Sequence, residues 1–310
     1  MCSFLPEEIQ TLIIKSSDFQ TQVAWSCINH HYYNLTGPLI WSDLSIEPSL
    51  QLTTVDKCER LLCTERRNRG NPLNWLKCLY VRFGSHESVY NAAYSINRFL
   101  QSSPNIVSFT LNGLCHSETL RILGTIEKLR YLDLKAPDFN RGQPNTCYVS
   151  SYDECSLFHW KPKALEFNYI MSLDDLTTLR IHCMKNDETL QVAQLVKKLK
   201  LTVLEISASR WNEKDKDRTQ SSSFSSLITT LMQASTTLGG FPTSLEKLML
   251  RDVYCKTISV KDLRLSAMNG SEKLLDITIA FGDMIWTLSD WNQRETHSTG
   301  SRMGFKFAET

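Results

Sequence analysis

Apolar and polar positions follow a helical period near the start of the chain. Ile9 and Ile13 recur four residues apart with Leu12 beside them, which places apolar side chains on one helix face. Pro6 suits the first turn because that turn does not use its missing N–H, and acidic residues follow at 7–8, where the helix dipole favours negative charge. The pattern predicts an amphipathic helix that begins at Pro6.

More helical structure is expected up to residue 46. Asp18 is a candidate N-cap for a second helix, and the Gly37-Pro38 pair predicts the end of the helical segment. Further apolar contacts are supplied by Val23, Ile28, Tyr32 and Leu35. A segment this short cannot bury so much apolar surface by itself. It therefore docks either on the rest of the chain or on a partner.

The pattern changes from Leu76 onward, where strand-like runs of the form L-x-x-L-x-L alternate with helix-like runs. Seven predicted strands are marked by Leu76-Leu79-Val81, Ile106-Phe109-Leu111, Leu129-Leu132-Leu134, Leu176-Leu179-Ile181, Leu201-Leu204-Ile206, Leu245-Leu248-Leu250 and Leu274-Ile277-Ile279. Amphipathic helices are predicted between them at 86–101, 116–127, 187–199 and 224–238, and another before them at 55–67. Chance alone would supply roughly seven such apolar triplets in a chain of this composition. The interleaving with helices is therefore the informative part.

Two of the gaps between predicted strands are long enough for extra structure. The segment 164–170 is a candidate degenerate strand, and residues 209–223, rich in charge and serine, are expected to form an exposed loop. In the helix at 187–199, the predicted apolar face comprises Leu190, Ala193, Leu195 and Val196. Acidic residues begin that helix and lysines end it, as its dipole favours.

The N-terminal segment resembles an F-box, the module that binds the Skp-family linker of SCF ubiquitin ligases. Leu5-Pro6-Glu7-Glu8-Ile9 matches the opening of that family's pattern, and Leu39-Ile40-Trp41 matches its close. Ile28-Asn29 and Tyr32-Tyr33 stand at its middle apolar and aromatic positions. The resemblance implies a linker-binding surface made by Leu5, Pro6, Ile9, Ile13, Val23, Ile28 and Trp41. Through the linker it also implies association with a cullin.

The region 76–281 is similar to an irregular leucine-rich repeat, because one strand and one helix recur every 23–30 residues in four of the six intervals between predicted strands. The resemblance implies a solenoid whose strands present a target-binding surface. The predicted target-binding residues are Tyr80, Arg82, Asp133, Lys135, Arg180, His182 and Arg251, with Thr110, Asn112, Glu205 and Met249 on the same face. This set holds more base than acid, which favours an acidic or phosphorylated target segment.

Together these patterns predict an α/β protein: a small N-terminal helical F-box and then parallel strands alternating with helices. The expected domains are an F-box at 1–46, a helical linker at 47–75, and a leucine-rich-repeat-like domain with a C-terminal cap at 76–310. The alternative architecture is a doubly wound α/β domain. No Gly-rich phosphate loop follows any predicted strand, which counts against that alternative.

Composition limits which kinds of partner and which cellular location are expected. The net charge of +1 gives no general reason to expect nucleic acid, and no run of about 20 apolar residues predicts a membrane span. Ten scattered cysteines without a CxxC motif, and an acidic start where a signal peptide would be basic, favour reduced thiols. We therefore expect a protein of the cytoplasm, the nucleus or both.

Catalytic and metal-binding patterns are weak. His30-His31 near Cys27 lack the second ligand pair of a structural zinc site, and Asp174-Asp175 are adjacent residues of a predicted turn. The basic run 66–69 is better explained as a solvated helix end than as a nuclear-import or nucleic-acid signal. We expect no catalytic residues, no metal and no cofactor.

The two resemblances together imply a non-catalytic substrate-recognition adaptor of an SCF-type ubiquitin ligase. Its F-box would bind the linker, and its repeats would bind a target protein whose identity is unknown. The alternative is a leucine-rich-repeat interaction scaffold that acts outside a ubiquitin ligase. Binding of the Skp-family linker separates the two hypotheses.

Overall fold

The computed structural model of the protein divides into two compact units, 1–110 and 111–310. The structure describes residues 5–49, 51–67, 72–83, 89–113, 115–135, 165–184, 188–208, 227–233, 242–251, 276–281 and 284–289. The first unit contains the predicted F-box, the predicted linker and the first predicted strand. The domain boundaries expected at 46 and 75 stay predictions.

Three short helices begin the first unit. They are α1 (Glu7–Lys15), α2 (Phe19–Ser26) and α3 (His30–Ile40). The side chain of Asp18 accepts a hydrogen bond of 2.8 Å from the Thr21 N–H, so the predicted N-cap is confirmed. Asn29 caps α3 in the same way, accepting from the Tyr32 N–H at 3.1 Å. Local sequence signals thus fix where the second and third helices start.

The helix end expected at Gly37-Pro38 is wrong, because α3 continues to Ile40 with Pro38 inside it. Proline removes one backbone donor, but the next turn still closes where the Trp41 N–H donates to the Gly37 carbonyl at 2.9 Å. The Gly-Pro pair therefore lies within the last turn of the helix and does not end it.

The rest of the first unit alternates strands with helices. Its further elements are β1 (Asp43–Ile46), α4 (Thr54–Arg67), a 3-10 helix (Pro72–Trp75), β2 (Cys78–Arg82), α5 (Val89–Gln101) and the start of β3 (Ser108–Asn112). β1 pairs in parallel with β2, with Leu44 beside Leu79. This first strand was not predicted, because its four residues are too short to show a period. Its end, Ile46, is buried together with Val81 and Phe99.

The second unit continues the strand–helix alternation. Its elements include α6 (Ser117–Leu123), β4 (Tyr131–Lys135), a 3-10 helix (Phe167–Ser172), β5 (Thr178–Met184), α7 (Thr189–Lys198), β6 (Val203–Ala208), β7 (Lys247–Arg251), β8 (Asp276–Phe281) and β9 (Met284–Ser289). Residues 227–232 are also helical. Strands β4 to β8 pair in parallel in chain order. The seven predicted strands are therefore present, and the α/β class is confirmed.

Two sequence expectations fail in this unit, and one strand was missed. The candidate strand at 164–170 is wrong, because Phe167–Ser172 form a 3-10 helix. β9 was not predicted, and it pairs antiparallel with β8. Leu190 is 63% exposed, so it does not belong to the apolar face assigned to it. The buried face of α7 consists of Val192, Ala193, Leu195 and Val196.

The core of the second unit lies on one side of its strands. Leu132 and Leu134 of β4 are buried, as are Leu179 and Ile181 of β5 and the equivalent leucines and isoleucines of β6 and β7. Since side chains alternate across a strand, the residues between them lie on the opposite face. That opposite face holds four of the predicted target-binding residues of this unit, Asp133, Lys135, Arg180 and His182. Among the described residues, no helix has both the length and the apolar character needed to cross a bilayer.

Candidate interaction surfaces

The apolar residues predicted to bind a linker are largely exposed. Pro6 is exposed as well, whereas Trp41 is half-buried. The exposed fractions are 40% for Leu5, 42% for Ile9, 42% for Ile13, 37% for Val23 and 60% for Ile28. Residues of this size are usually found inside a fold. Their exposure leaves apolar faces of α1 and α2 without a covering element among the described residues.

The orientation of α1 explains this exposure. Its inward side holds Ile14, which is fully buried, and Gln10, which is 7% exposed. The Gln10 side chain donates to the Leu5 carbonyl at 2.6 Å, and its oxygen lies 3.1 Å from His31 Nε2. A buried glutamine with hydrogen-bonding partners holds the helix with its more apolar side outward. This inverts the usual arrangement for an amphipathic helix.

Two exposed apolar residues were missed by the linker-binding prediction. Leu12 is 61% exposed and lies one turn from Ile9, on the outward side of α1. Phe19 is 62% exposed and lies four residues before Val23 on α2. The four-residue spacing in α2 is visible in the sequence and could have identified Phe19. We call Leu5, Ile9, Leu12, Ile13, Phe19, Val23 and Ile28 the apolar stripes.

The histidines near these stripes have hydrogen-bonding neighbours of their own. His30 Nδ1 lies 3.1 Å from the side-chain nitrogen of Asn34, and His31 contacts Gln10 as described above. The neighbouring Cys27 is exposed. In the described part of the chain, no group of three or more His, Cys, Asp or Glu side chains is arranged to hold a metal ion.

A second surface lies on the outward face of β4, β5 and β6. The strand register places Asp133 beside Arg180, and Arg180 beside Glu205. Lys135 and His182 lie two residues further along their own strands and therefore on the same face. The structure thus brings together four of the predicted target-binding residues. We call Tyr131, Asp133, Lys135, Arg180, His182 and Glu205 the strand-face cluster.

The contacts of the cluster centre on Asp133. Its Oδ2 accepts a hydrogen bond of 3.2 Å from the Tyr131 hydroxyl and lies 3.2 Å from Lys135 Nζ. Arg180 Nη1 lies 3.9 Å from the same oxygen, and His182 Nε2 lies 3.6 Å from Oδ1. Distances of 3.6 Å and more are too long for direct hydrogen bonds. Asp133 is therefore surrounded by nitrogen groups that only partly satisfy it.

Arg180 also contacts two further residues of the cluster, Glu205 and Tyr131. Its Nε lies 3.4 Å from Glu205 Oε2, and its guanidinium carbon lies 5.5 Å from the centre of the Tyr131 ring. The second distance is within the range of a cation–π contact. Burial, and then the charge of Asp133, raise the pKa of the Tyr131 hydroxyl, so it remains a hydrogen-bond donor at neutral pH. Tyr131 was missed by the sequence prediction, although it precedes Asp133 by two residues and shares its face.

The remaining predicted target-binding residues lie apart from this cluster. Tyr80 is half-buried in β2, and the exposed Arg82 lies 4.0 Å from Glu47. Both belong to the first unit. Arg251 is paired in register with Ser207 of β6, but its side chain lies outside the described residues. The target-binding role of all these residues stays a prediction.

Comparison with known proteins adds no assignment to these surfaces. No family model matches the sequence. No significantly similar sequence was found among curated proteins. The apolar stripes and the strand-face cluster are therefore the features of the described residues that bear on function.

Proposed function

We propose that the protein is a non-catalytic substrate-recognition adaptor of an SCF-type ubiquitin ligase. The N-terminal helices would bind the Skp-family linker, which in turn binds a cullin. The strand–helix region, as an irregular leucine-rich repeat, would bind the target protein. Tethering raises the effective concentration of the target near the ubiquitin-conjugating enzyme, so the adaptor itself need not make or break a bond.

The observation that carries this proposal is the exposure of the apolar stripes. Seven large apolar side chains on, just before or just after two short helices are each at least 37% exposed. Exposed apolar patches of this kind commonly mark protein–protein interfaces. The stripes include five of the seven residues that the F-box resemblance assigns to linker binding. A linker bound over the stripes would bury the apolar surface that α1 and α2 expose to water.

The decisive experiment is a co-precipitation of the full-length chain with a purified Skp-family linker. We expect binding by the wild type and its loss in the double variant Ile9→Ser, Ile13→Ser. Both side chains are exposed, so the change removes interface contacts while leaving the buried Ile14 intact. Truncating central interface residues typically costs about 2 kcal/mol or more each.

The matched control is Leu190→Ser, which alters an exposed aliphatic residue of α7 in the second unit. This variant should bind the linker as the wild type does. Failure of the wild type to bind would overturn the ligase function and favour the interaction scaffold that acts outside a ligase. Equal binding by the double variant would remove the apolar stripes as the linker surface.

A further inference from the structure

The strand-face cluster is layered by charge. Its two carboxylates lie inside, with the Asp133 side chain 0% and the Glu205 side chain 10% exposed. Its nitrogen groups lie further out, at 23% for His182, 33% for Arg180 and 42% for Lys135. A group that approaches from solvent therefore meets donors first, although the carboxylates balance the two permanent positive charges.

Not all polar atoms of the cluster are satisfied by this arrangement. Asp133 Oδ1 and Arg180 Nε are buried atoms without a hydrogen-bond partner among the described residues. Buried polar atoms normally have such partners, and those that do not call for an explanation. Asp133 Oδ1 is an acceptor and calls for a donor, so it does not favour an anion, whereas Arg180 Nε is a donor that lacks an acceptor in the described part of the chain. The spacings of 3.4–3.9 Å around Arg180 hold the groups near one another without joining them fully.

Because the nitrogen groups lie outside the carboxylates, the cluster favours one sign of charge in a ligand that approaches from solvent. A cation would be repelled by Lys135 and Arg180 before it could reach either carboxylate. An anion would meet the ammonium, the guanidinium and the imidazole, and hydrogen bonds between charged groups are among the strongest in proteins. Because the carboxylates beneath neutralise the permanent charges, the site suits one anionic group better than a run of negative charges.

We propose that Lys135, Arg180 and His182 form a receptor for one anionic side chain of a bound protein segment. The anion is either the carboxylate of an acidic residue or the phosphate of a phosphorylated residue. The half-buried Met249, in register beside Glu205, supplies an apolar neighbour for the segment that carries the anion. As target recognition, this inference rests on the proposed adaptor function. As anion binding, it can be tested without any linker.

The experiment uses the full-length protein with inorganic phosphate and, separately, acetate as probes. The imidazole ring signals of His182 are followed by NMR at constant ionic strength, and a His182→Gln spectrum assigns them. We expect a saturable shift of these signals with at least one probe. Saturation by phosphate alone assigns the site to phosphorylated segments, and saturation by both probes assigns it to acidic segments as well.

Substitutions then separate binding from a general salt effect. Lys135→Gln changes a partly exposed side chain and should weaken binding by roughly tenfold, as expected for loss of one charge-assisted contact. Arg180→Gln should do the same and provides a second, independent variant. Arg130→Gln is the control, because Arg130 is 64% exposed, directly precedes β4 and pairs with Asp175 at 3.6 Å.

The outcomes distinguish this inference from the adaptor function. If neither phosphate nor acetate gives a saturable shift of the His182 signals, the anion receptor is overturned. It is also overturned if Lys135→Gln and Arg180→Gln both bind the probe with unchanged affinity. Equal weakening in the Arg130 control also overturns it. Loss of linker binding in the co-precipitation leaves these titrations unaffected, so either proposal can fail alone.

Discussion

Gly37 of α3 lies directly against the indole ring of Trp75. A Cβ atom built on Gly37 would overlap three carbons of that ring, and Tyr33, one turn earlier, contacts the same ring at a centroid distance of 5.4 Å. The third helix thus packs on the 3-10 helix that precedes β2. Glycine is required here by close approach of a side chain.

Gly37→Ala should therefore destabilise the protein, although alanine is the better helix former by about 1 kcal/mol. Overpacking of a close contact typically costs about 1–3 kcal/mol, which exceeds that gain. Thermal denaturation followed by circular dichroism would measure the loss. Trp75→Leu in the same chain should recover part of it by making room. If Gly37→Ala raises the melting temperature, the contact is looser than described.

A second glycine is required by a backbone contact. Gly124 follows α6 in an ordinary right-handed conformation, with φ of −61°, so it does not need glycine for its backbone angles. A Cβ there would overlap the Tyr169 carbonyl of the neighbouring 3-10 helix. The Ser172 hydroxyl also donates to the Gly124 carbonyl at 3.1 Å, which holds the two segments together.

Gly124→Ala should be at least as destabilising as Gly37→Ala, because backbone cannot rotate away as a side chain can. We expect a loss of about 2 kcal/mol or more in the urea-derived free energy of unfolding. Thr125→Ala is the control, since this neighbouring residue is exposed and should change stability by less than about 1 kcal/mol. Equal effects of the two changes would contradict the described packing.

Helices α4 and α5 are joined by an ion pair that sequence spacing alone could not reveal. Arg98 Nη1 lies 2.8 and 2.9 Å from the two oxygens of Glu59, and the Ser95 hydroxyl donates to the same carboxylate at 3.1 Å. The Arg98 and Glu59 side chains are 33% and 37% exposed, so solvent screens the pair in part.

Glu59→Gln should cost about 0.5–1 kcal/mol of stability at low salt, and less in 1 M sodium chloride. Glu118→Gln offers a matched comparison within one helix, because Glu118 pairs with Arg121 three residues away. That pair is more exposed and should contribute less. Urea titrations at two salt concentrations would show both differences, and a salt-independent loss at Glu59 would indicate that packing dominates.

Cysteine reactivity should differ strongly between positions. Cys27 is exposed, whereas burial, helped by the charge of Glu188, raises the pKa of the Cys115 thiol to about 12. Burial and a hydrogen bond to Asp43 raise the pKa of Cys78 to about 11. Since the thiolate is the reactive form, both thiols should be alkylated slowly at pH 8.

The pH profile gives the sharper check. Alkylation of an ordinary thiol levels off once pH exceeds its pKa of about 8.5. Because their folded pKa values are raised, the rates at Cys78 and Cys115 should still rise about tenfold per pH unit between pH 8 and 10. Iodoacetamide labelling with peptide mass spectrometry measures each site, and urea-unfolded protein serves as the control. Cys115 is half-buried, and a plateau in its alkylation rate below pH 10 would contradict the raised pKa of its thiol.

The sequence was most predictive where a period could be seen. The L-x-x-L-x-L runs located seven strands, and Asp18 located the start of α2, because alternation and capping are local properties. The four-residue β1 carries too few positions for a period, and β9 gains its place by pairing with β8. Leu190 looked like a core residue because its spacing fits the helical face, yet its side chain points to solvent.

For the candidate surfaces, the sequence predicted which residues lie on the same face better than how deeply each residue is buried. Alternation placed Asp133 and Arg180 on one face, and register then put them side by side. Burial of Asp133 could not be read from that pattern, because it depends on neighbouring strands that are distant in sequence. The outward direction of α1 was likewise unpredictable, since it depends on the partners that the buried Gln10 finds in α3 and at Leu5.

The burial of Asp133 leads to the last prediction, which concerns stability. Asp133→Asn keeps the size of the side chain but removes the charge that faces Lys135 and Arg180 from within the fold. Weakening hydrogen bonds and ion pairs of a buried charged group typically costs about 1–3 kcal/mol. The exposed pair of Glu47 and Arg82, 4.0 Å apart, is the natural comparison, and Glu47→Gln should cost less than about 0.5 kcal/mol. Urea denaturation of both variants would test this, and the loss at Asp133 should persist in 1 M salt because buried charges are poorly screened. If the two variants unfold at the same urea concentration, Asp133 is not the centre of the strand-face cluster in solution.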